Sequence, residues 1–368
     1  MNGSPLSGLR IGIFGKGGSG KSTMTVFLAR ALRERGHSVL VLDADSTNVG
    51  LAEALGVDHQ PDPLLDHFGG MVFSGGAVTC PVDDPTPLHG ARLRLDQIPA
   101  RFVGRTPEGI LLLEAGKIGA LGPGAGCDGP VAKIARDLHV SDFGPDPVTL
   151  IDYKAGFEDA ARGTVTSIDW AVAVVDPTNA GLRMAAHLTG MVDGIRRGVP
   201  PATRHLELPQ LVDAAIRQFA AARIRGVLPV LNRVRTPFVE TYLIEALREE
   251  GLRSVGAFEE IPCVSEQWMR GEPLRSEKLH ASARDLVAAL ETAAAAGAPP
   301  RPGSSRAETP PIVPGGVSLS GATSEGRSFA DVPGHPSWDE DRGEEGAAPP
   351  PPDRGASFAE VPGAGWPR

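Results

Sequence analysis

Cysteine is nearly absent from this 368-residue chain: Cys80, Cys127 and Cys263 are the only three. So few thiols, spaced so widely, exclude a disulfide framework of the kind that staples small secreted domains. No run approaches the ~18 consecutive apolar residues of a membrane-spanning helix. Positive charge is in deficit, with 36 Lys and Arg against 45 Asp and Glu and a formal net charge of −9. That balance argues against a broadly basic nucleic-acid surface, although it leaves room for a local patch. Residues 1–8 are polar and read as a flexible lead-in without the zones of a signal peptide. The expected location is the cytoplasm, with no membrane partner.

Glycine and proline, by contrast, are in excess at 46 and 34, and much of the surplus lies near the C-terminal end. From residue 297 to 368 the chain is dominated by Pro, Gly, Ser and acidic side chains. Such a segment buries too little apolar surface to offset its ordering entropy, so a disordered tail is predicted. It carries a near-repeat, Ser-Phe-Ala-Asp/Glu-Val-Pro-Gly, at 328–334 and 357–363, each followed by a tryptophan. Phe329 with Trp338 and Phe358 with Trp366 read either as drift within a duplicated linker or as two motifs docking on a client protein. Two copies would raise avidity through effective concentration.

Upstream, short apolar runs alternate with helical segments. Strands are predicted at 9–14, 38–42, 109–114, 148–151, 170–175 and 227–231, and helices at 21–35, 131–138, 180–192, 208–222 and 238–250. That alternation predicts an α/β domain over 9–290, a doubly wound, mostly parallel sheet covered on both faces. Residues 57–107 carry no clear pattern.

Between the first strand and helix run Gly15, Lys16, Gly17, Gly18, Ser19, Gly20, Lys21, Ser22 and Thr23, which satisfy the P-loop pattern. Its chemistry needs these residue types. Glycines let backbone N–H groups close around phosphates, and the following helix presents its positive end. Lys21 is placed to reach the β- and γ-phosphates of ATP and Ser22 to hold Mg²⁺. Asp43 and Asp45 close the second strand, where a carboxylate can orient water or support Mg²⁺; capping the next helix is the alternative. Asp152 closes a later apolar strand as a further Mg²⁺ support, with Gly156 four residues on.

Lys16 narrows the resemblance. Lys-Gly-Gly-x-Gly-Lys-Ser/Thr is similar to the deviant Walker A motif of the MinD, ParA, nitrogenase iron-protein and CooC group of P-loop ATPases. That resemblance implies an ATP-dependent homodimer in which Lys16 contacts the partner's phosphates; contact with its own nucleotide is the alternative. It also gives Asp45 the water-activating role, Asp43 a place nearer the magnesium shell, and Gly156 a γ-phosphate-sensing role. Asn232 resembles the family's base-recognition residue, against a simple turn residue, and Pro262 the loop beside adenine.

Details over 9–274 lean toward CooC-like ATPases, accessory proteins that insert nickel into carbon monoxide dehydrogenase. The stretches 51–56, 111–114, 122–127, 155–164 and 261–274 carry this likeness. One departure stands out. CooC proteins have Cys-x-Cys where this chain has Cys127, Asp128 and Gly129, so nickel or zinc at Cys127 is weighed against a structural or vestigial cysteine, and the latter is preferred. Asp128 is a candidate oxygen ligand, and Cys80 and Cys263 read as small apolar residues. The expected function is an ATP-hydrolysing switch for assembly or maturation of a client. The alternatives are a ParA- or MinD-like positioning ATPase, for which Arg196, Arg197, Arg204, Arg217, Arg223 and Arg225 are the dense basic cluster, or an adaptor acting through its tail.

Overall fold

The computed structural model describes residues 4–72, 75–117, 127–199, 201 and 208–297. The chain divides into two units, Met1–Ala307 and Glu308–Arg368. The second lies wholly outside the described residues, and with it Phe329, Trp338, Phe358 and Trp366. Residues 118–126, which lead into Cys127, and Arg204 also lie outside them.

The strands are β1 (Arg10–Gly15), β2 (Ser38–Ala44), β3 (Arg92–Arg94), β4 (Gly104–Arg105), β5 (Leu111–Glu114), β6 (His139–Ser141), β7 (Pro147–Tyr153), β8 (Trp170–Val175), β9 (Gly226–Val234) and β10 (Ala257–Glu259). The helices are α1 (Lys21–Glu34), α2 (Leu51–Leu55), α3 (Leu64–His67), α4 (Asp128–Asp137), α5 (Glu158–Ala161), α6 (Asn179–Arg196), α7 (Pro209–Ala220), α8 (Pro237–Glu249), α9 (Pro262–Arg270) and α10 (Glu277–Ala296). Eight strands form one sheet in the order β10-β9-β8-β1-β7-β2-β5-β4, while β3 and β6 pair separately. Within the large sheet only β4 runs antiparallel to its neighbour. The predicted doubly wound sheet is therefore present.

Its central strands are apolar runs because both faces are covered. Every residue of β1, β2 and β8 is buried. Side chains alternate between two cores: Ile11 and Ile13 join Met24, Phe27 and Leu28 of α1, whereas Phe14 joins Leu42, Ile151 and Tyr153 on the opposite face. Phe14 and Tyr153 stack with ring centroids 4.5 Å apart.

Three boundaries differ from the sequence reading. Strand β9 continues past Leu231, so Asn232 and Arg233 lie within it, Arg233 at the left-handed φ of +59°. Helix α10 runs beyond 290 to Ala296, where alanine favours continuation until Gly297. Leu6, within the segment read as a flexible lead-in, is fully buried with Leu9 and Ile11. Among the described part of 57–107 only short elements form, anchored by buried Ile98 and Phe102. No helix among the described residues is long and apolar enough to cross a membrane.

Candidate nucleotide site

The C-terminal ends of β1, β2 and β7 converge, and all three carry motif residues. Gly15 closes β1, and Lys21 opens α1. Gly18 and Gly20 between them adopt φ of +76° and +93°, a region side chains disfavour. A Cβ at Gly20 would also meet the Asn232 amide nitrogen at 2.1 Å. No side chain caps the start of α1, so its first-turn N–H groups remain available to an anion. Gly17, Gly18, Gly20, Lys21, Ser22 and Asp45 line a cavity of about 410 Å³.

Below this cavity three carboxylates stand abreast. Asp43 of β2 pairs in register with Glu114 of β5 on one side and Asp152 of β7 on the other. Burial pushes all three upward, Glu114 and Asp152 each to about 7. Lys117 partly offsets this at Asp43, its Nζ 2.6 Å from Oδ2. Asp43 Oδ1 accepts from the Asp45 amide at 3.0 Å, so both oxygens of this predicted magnesium-shell residue are engaged. Lys117 also donates to the carbonyls of Asp45 and Asn48 at 2.8 and 2.5 Å, pinning the loop after β2.

Asp152 has no such partner. Both its oxygens are buried without a hydrogen bond, and the neighbouring Ser22 hydroxyl and Lys21 ammonium offset only part of the cost. Ser22 Oγ accepts from Asn48 Nδ2 at 2.7 Å, which leaves its own proton free to turn towards Asp152. An orphaned buried carboxylate facing a P-loop hydroxyl is the donor set expected for Mg²⁺, so the residues fit that ion.

Asp45 Oδ1 accepts from the amides of Thr47 and Asn48 and from the Thr47 hydroxyl, at 3.0, 3.2 and 2.7 Å. Among the described residues its Oδ2 has no partner, and the residue lines the cavity. Gly156, at φ +95°, donates its N–H to the Gly15 carbonyl at 2.9 Å, joining the segment after β7 to the P-loop. Lys16 Nζ lies 2.8 Å from Asp176 Oδ2, at the end of β8 of its own chain.

A second cavity of about 260 Å³ shares Gly18, Gly20, Thr23 and Trp268 with the first. Asn232 lines it, and its Nδ2 donates one hydrogen bond to the Ser19 carbonyl at 2.6 Å. Arg233 likewise reaches the Gly18 carbonyl at 3.1 Å. Pro262 opens α9, and its neighbours Ile261, Val264 and Ser265 supply the wall. Trp268 escaped the sequence reading; its Nε1 donates to Thr23 Oγ1 at 2.9 Å. A tryptophan on an amphipathic helix carries no local signal of such a role.

Away from the nucleotide site, Cys127 caps α4, its Sγ accepting from the Gly129 amide at 3.3 Å. Asp128, a candidate oxygen ligand by sequence, has both oxygens engaged, one by Ser46 and one by Lys154. Cys263 is exposed rather than packed as a small apolar residue. Three members of the basic cluster are paired within the chain: Arg223 and Arg225 lie 2.9 and 3.8 Å from the one carboxylate of Asp169, and Arg196 lies 3.5 Å from Asp193.

Comparison with known proteins agrees with this geometry. The profile of the CobQ/CobB/MinD/ParA nucleotide binding domain matches residues 13–274. An uncharacterized ATP-binding protein of Methanocaldococcus jannaschii is 31% identical over 179 residues, 48% of this chain and 70% of that one. The carbon monoxide dehydrogenase accessory protein CooC of Rhodospirillum rubrum is 34% identical over 185 residues, 50% of this chain and 68% of that one. With its P-loop, carboxylate row and parallel sheet in the matched span, this chain belongs to the CobQ/CobB/MinD/ParA family of nucleotide-binding proteins.

Proposed function

We propose that this protein is an ATP-dependent dimerising switch that hydrolyses ATP to ADP and phosphate and couples the cycle to maturation of a client protein. The observation that carries the reading is the Asp152 carboxylate, buried, unpartnered and raised to about 7 beside the P-loop. Bound with ATP, Mg²⁺ supplies positive charge at this point and on the phosphates.

The chain's own groups divide the remaining work. Backbone N–H groups of Gly17, Gly18, Ser19 and Gly20 and the ammonium of Lys21 hold the phosphates; Ser22 and Asp152 face the ion, with Asp43 behind them. Thr23 fixes Trp268 across the mouth shared by the two cavities. Asp45, with Oδ1 anchored by its own turn, keeps Oδ2 to orient the attacking water and accept its proton. Gly156, bonded to Gly15, transmits the state of the phosphate site to the segment after β7. Lys16 crosses to the partner's phosphates once these compete with Asp176 for its charge.

Likeness to the CooC accessory protein favours client maturation over spatial positioning, and Arg196, Arg223 and Arg225 of the basic cluster pair with carboxylates of their own chain. The test is Mg²⁺-dependent phosphate release and light scattering of the full chain with ATP. Asp45→Ala should accumulate an ATP-bound dimer and lose turnover by roughly a hundredfold. Normal turnover by that variant, or a wild type that neither dimerises nor hydrolyses ATP with Mg²⁺ present, refutes the reading.

A further inference from the structure

A cavity of about 730 Å³ lies away from the P-loop and has no part in the nucleotide cycle. Thr166 and Ser167, just before β8, and Arg223, just before β9, supply part of its wall. The P-loop instead follows the far end of β1, and β1, β8 and β9 are parallel. The two cavities therefore sit at opposite ends of the strands. A volume between ~300 and ~1,000 Å³ is typical of small-molecule sites.

Positive charge dominates the lining. Arg92, Arg136, Arg217 and Arg223 face the cavity against one carboxylate, Asp137. Arg136 is buried and neutralises Asp137, donating to its two oxygens at 2.7 and 2.8 Å. The same guanidinium reaches Gln218 Oε1 at 3.1 Å and the Thr86 carbonyl at 3.0 Å, which ties α4 to α7 and fixes the floor. Arg223 shares the single carboxylate of Asp169 with Arg225. Arg92 and Arg217 are exposed and have no carboxylate partner among the described residues.

His139 registers this field. Strands β3 and β6 pair so that Arg92 stands beside His139, whose amide donates to the Ala91 carbonyl at 2.8 Å. Burial, followed by the charges of Arg10, Arg92 and Arg223, holds the imidazole down at about 4, while Asp137 opposes them weakly. The ring is therefore neutral at physiological pH and can donate one hydrogen bond without adding charge.

We propose that this cavity binds a small organic molecule carrying several oxyanion charges, as phosphate ester or polycarboxylate, on Arg92, Arg217 and Arg223. The planar fork of arginine matches the paired oxygens of either group. Asp169 engages Arg223 through one terminal nitrogen, at 3.0 and 2.9 Å, so the rest of that guanidinium can serve a ligand. Leu88, Ala214 and Ala221 offer an apolar wall for the organic body. This site depends neither on dimerisation nor on ATP hydrolysis.

The test is calorimetric titration of the full chain with pyrophosphate and, separately, with citrate, in a Lys21→Ala background that takes the P-loop out of competition. One anion should bind per chain, and Arg92→Gln and Arg223→Gln should each weaken it by about tenfold or more. Arg248→Gln, at an exposed arginine outside the cavity, should bind as the background does. Unchanged ATP binding by Arg92→Gln and Arg223→Gln with Lys21 in place checks that both fold. The bound anion should also raise the His139 imidazole from about 4 to about 5 or above, read from its ring-proton resonance. Tighter pyrophosphate assigns the site to phosphate esters, and tighter citrate assigns it to polycarboxylates. Binding of neither anion, undiminished binding in both arginine variants, or an unmoved His139 overturns the proposal. Retention of duplex DNA by these arginines with neither small anion bound overturns it too.

Discussion

Lys16 and Asp176 form an ion pair at 2.8 Å within one chain, across the open end of β1 and β8. Asp176 is nearly buried, while the Lys16 side chain is about one-third exposed, so the lysine is the partner free to leave. Asp176 also accepts from Thr178 Oγ1 at 2.9 Å and is therefore fixed in place. The proposed role of Lys16 in trans therefore requires the partner's phosphates to compete with Asp176 for its charge.

Lys16→Ala should bind ATP with near wild-type affinity and lose dimerisation and turnover, by roughly a hundredfold or more if it stabilises charge in trans. Asp176→Asn, which weakens the tether and keeps the shape, should dimerise at lower ATP concentration than wild type. Light scattering and phosphate release check both, and full dimerisation by Lys16→Ala would remove the lysine from the interface.

Lys117 neutralises Asp43 at 2.6 Å in the protein interior. Replacing Lys117 by methionine leaves a buried carboxylate without its cation, at a cost of about 3–5 kcal/mol. Thermal unfolding should drop by roughly 10 °C. The double variant Lys117→Met with Asp43→Asn should recover much of that loss, because no unpaired charge remains. A single variant as stable as wild type would contradict the pairing.

Asp152 makes the nucleotide-free protein sensitive to pH. Its carboxyl is raised from the ordinary 3.8 to about 7, so between those values the folded protein keeps a proton that the unfolded chain has released. Stability therefore falls as pH rises through that window, by up to about 1.4 kcal/mol per unit for one group, and levels off above it. Glu114, also near 7, adds a slope of the same sign. Calorimetry between pH 5 and 8 should show a flatter profile in Asp152→Asn, with Mg²⁺-dependent nucleotide binding lost. An unchanged profile would mean that Asp152 does not titrate there.

Asn232 and Trp268 should behave differently from base-reading residues. Because Asn232 Nδ2 braces the P-loop through the Ser19 carbonyl, Asn232→Ala should weaken ATP and GTP alike, by about tenfold. Selective loss of ATP would restore a base-recognition role. Trp268 spans both cavities, so nucleotide should change tryptophan fluorescence in wild type and not in Trp268→Phe.

The nucleotide site was legible in the primary structure because its chemistry is local. A glycine-rich turn between strand and helix needs consecutive residues, and Asp43, Asp45 and Asp152 each close an apolar strand. The alternation of strands and helices likewise announced the parallel sheet. Ends of elements were less legible: α10 ran past residue 290, where the domain was expected to end, and β9 carried Asn232 into the sheet.

Pairings across distance were decided only by the fold. Asp43, Glu114 and Asp152 stand abreast because β2 lies between β5 and β7 in matching register, a consequence of strand order. The same holds for Lys16 with Asp176 and Lys117 with Asp43. Cys80 is the sharpest case. In the chain it is an isolated thiol in a segment without periodicity; in the fold its sulfur occupies the space left by the missing side chain of Gly129. Local sequence sets what a residue can do chemically, and packing decides which residue it does it with, since proximity between distant segments is a property of the folded backbone alone.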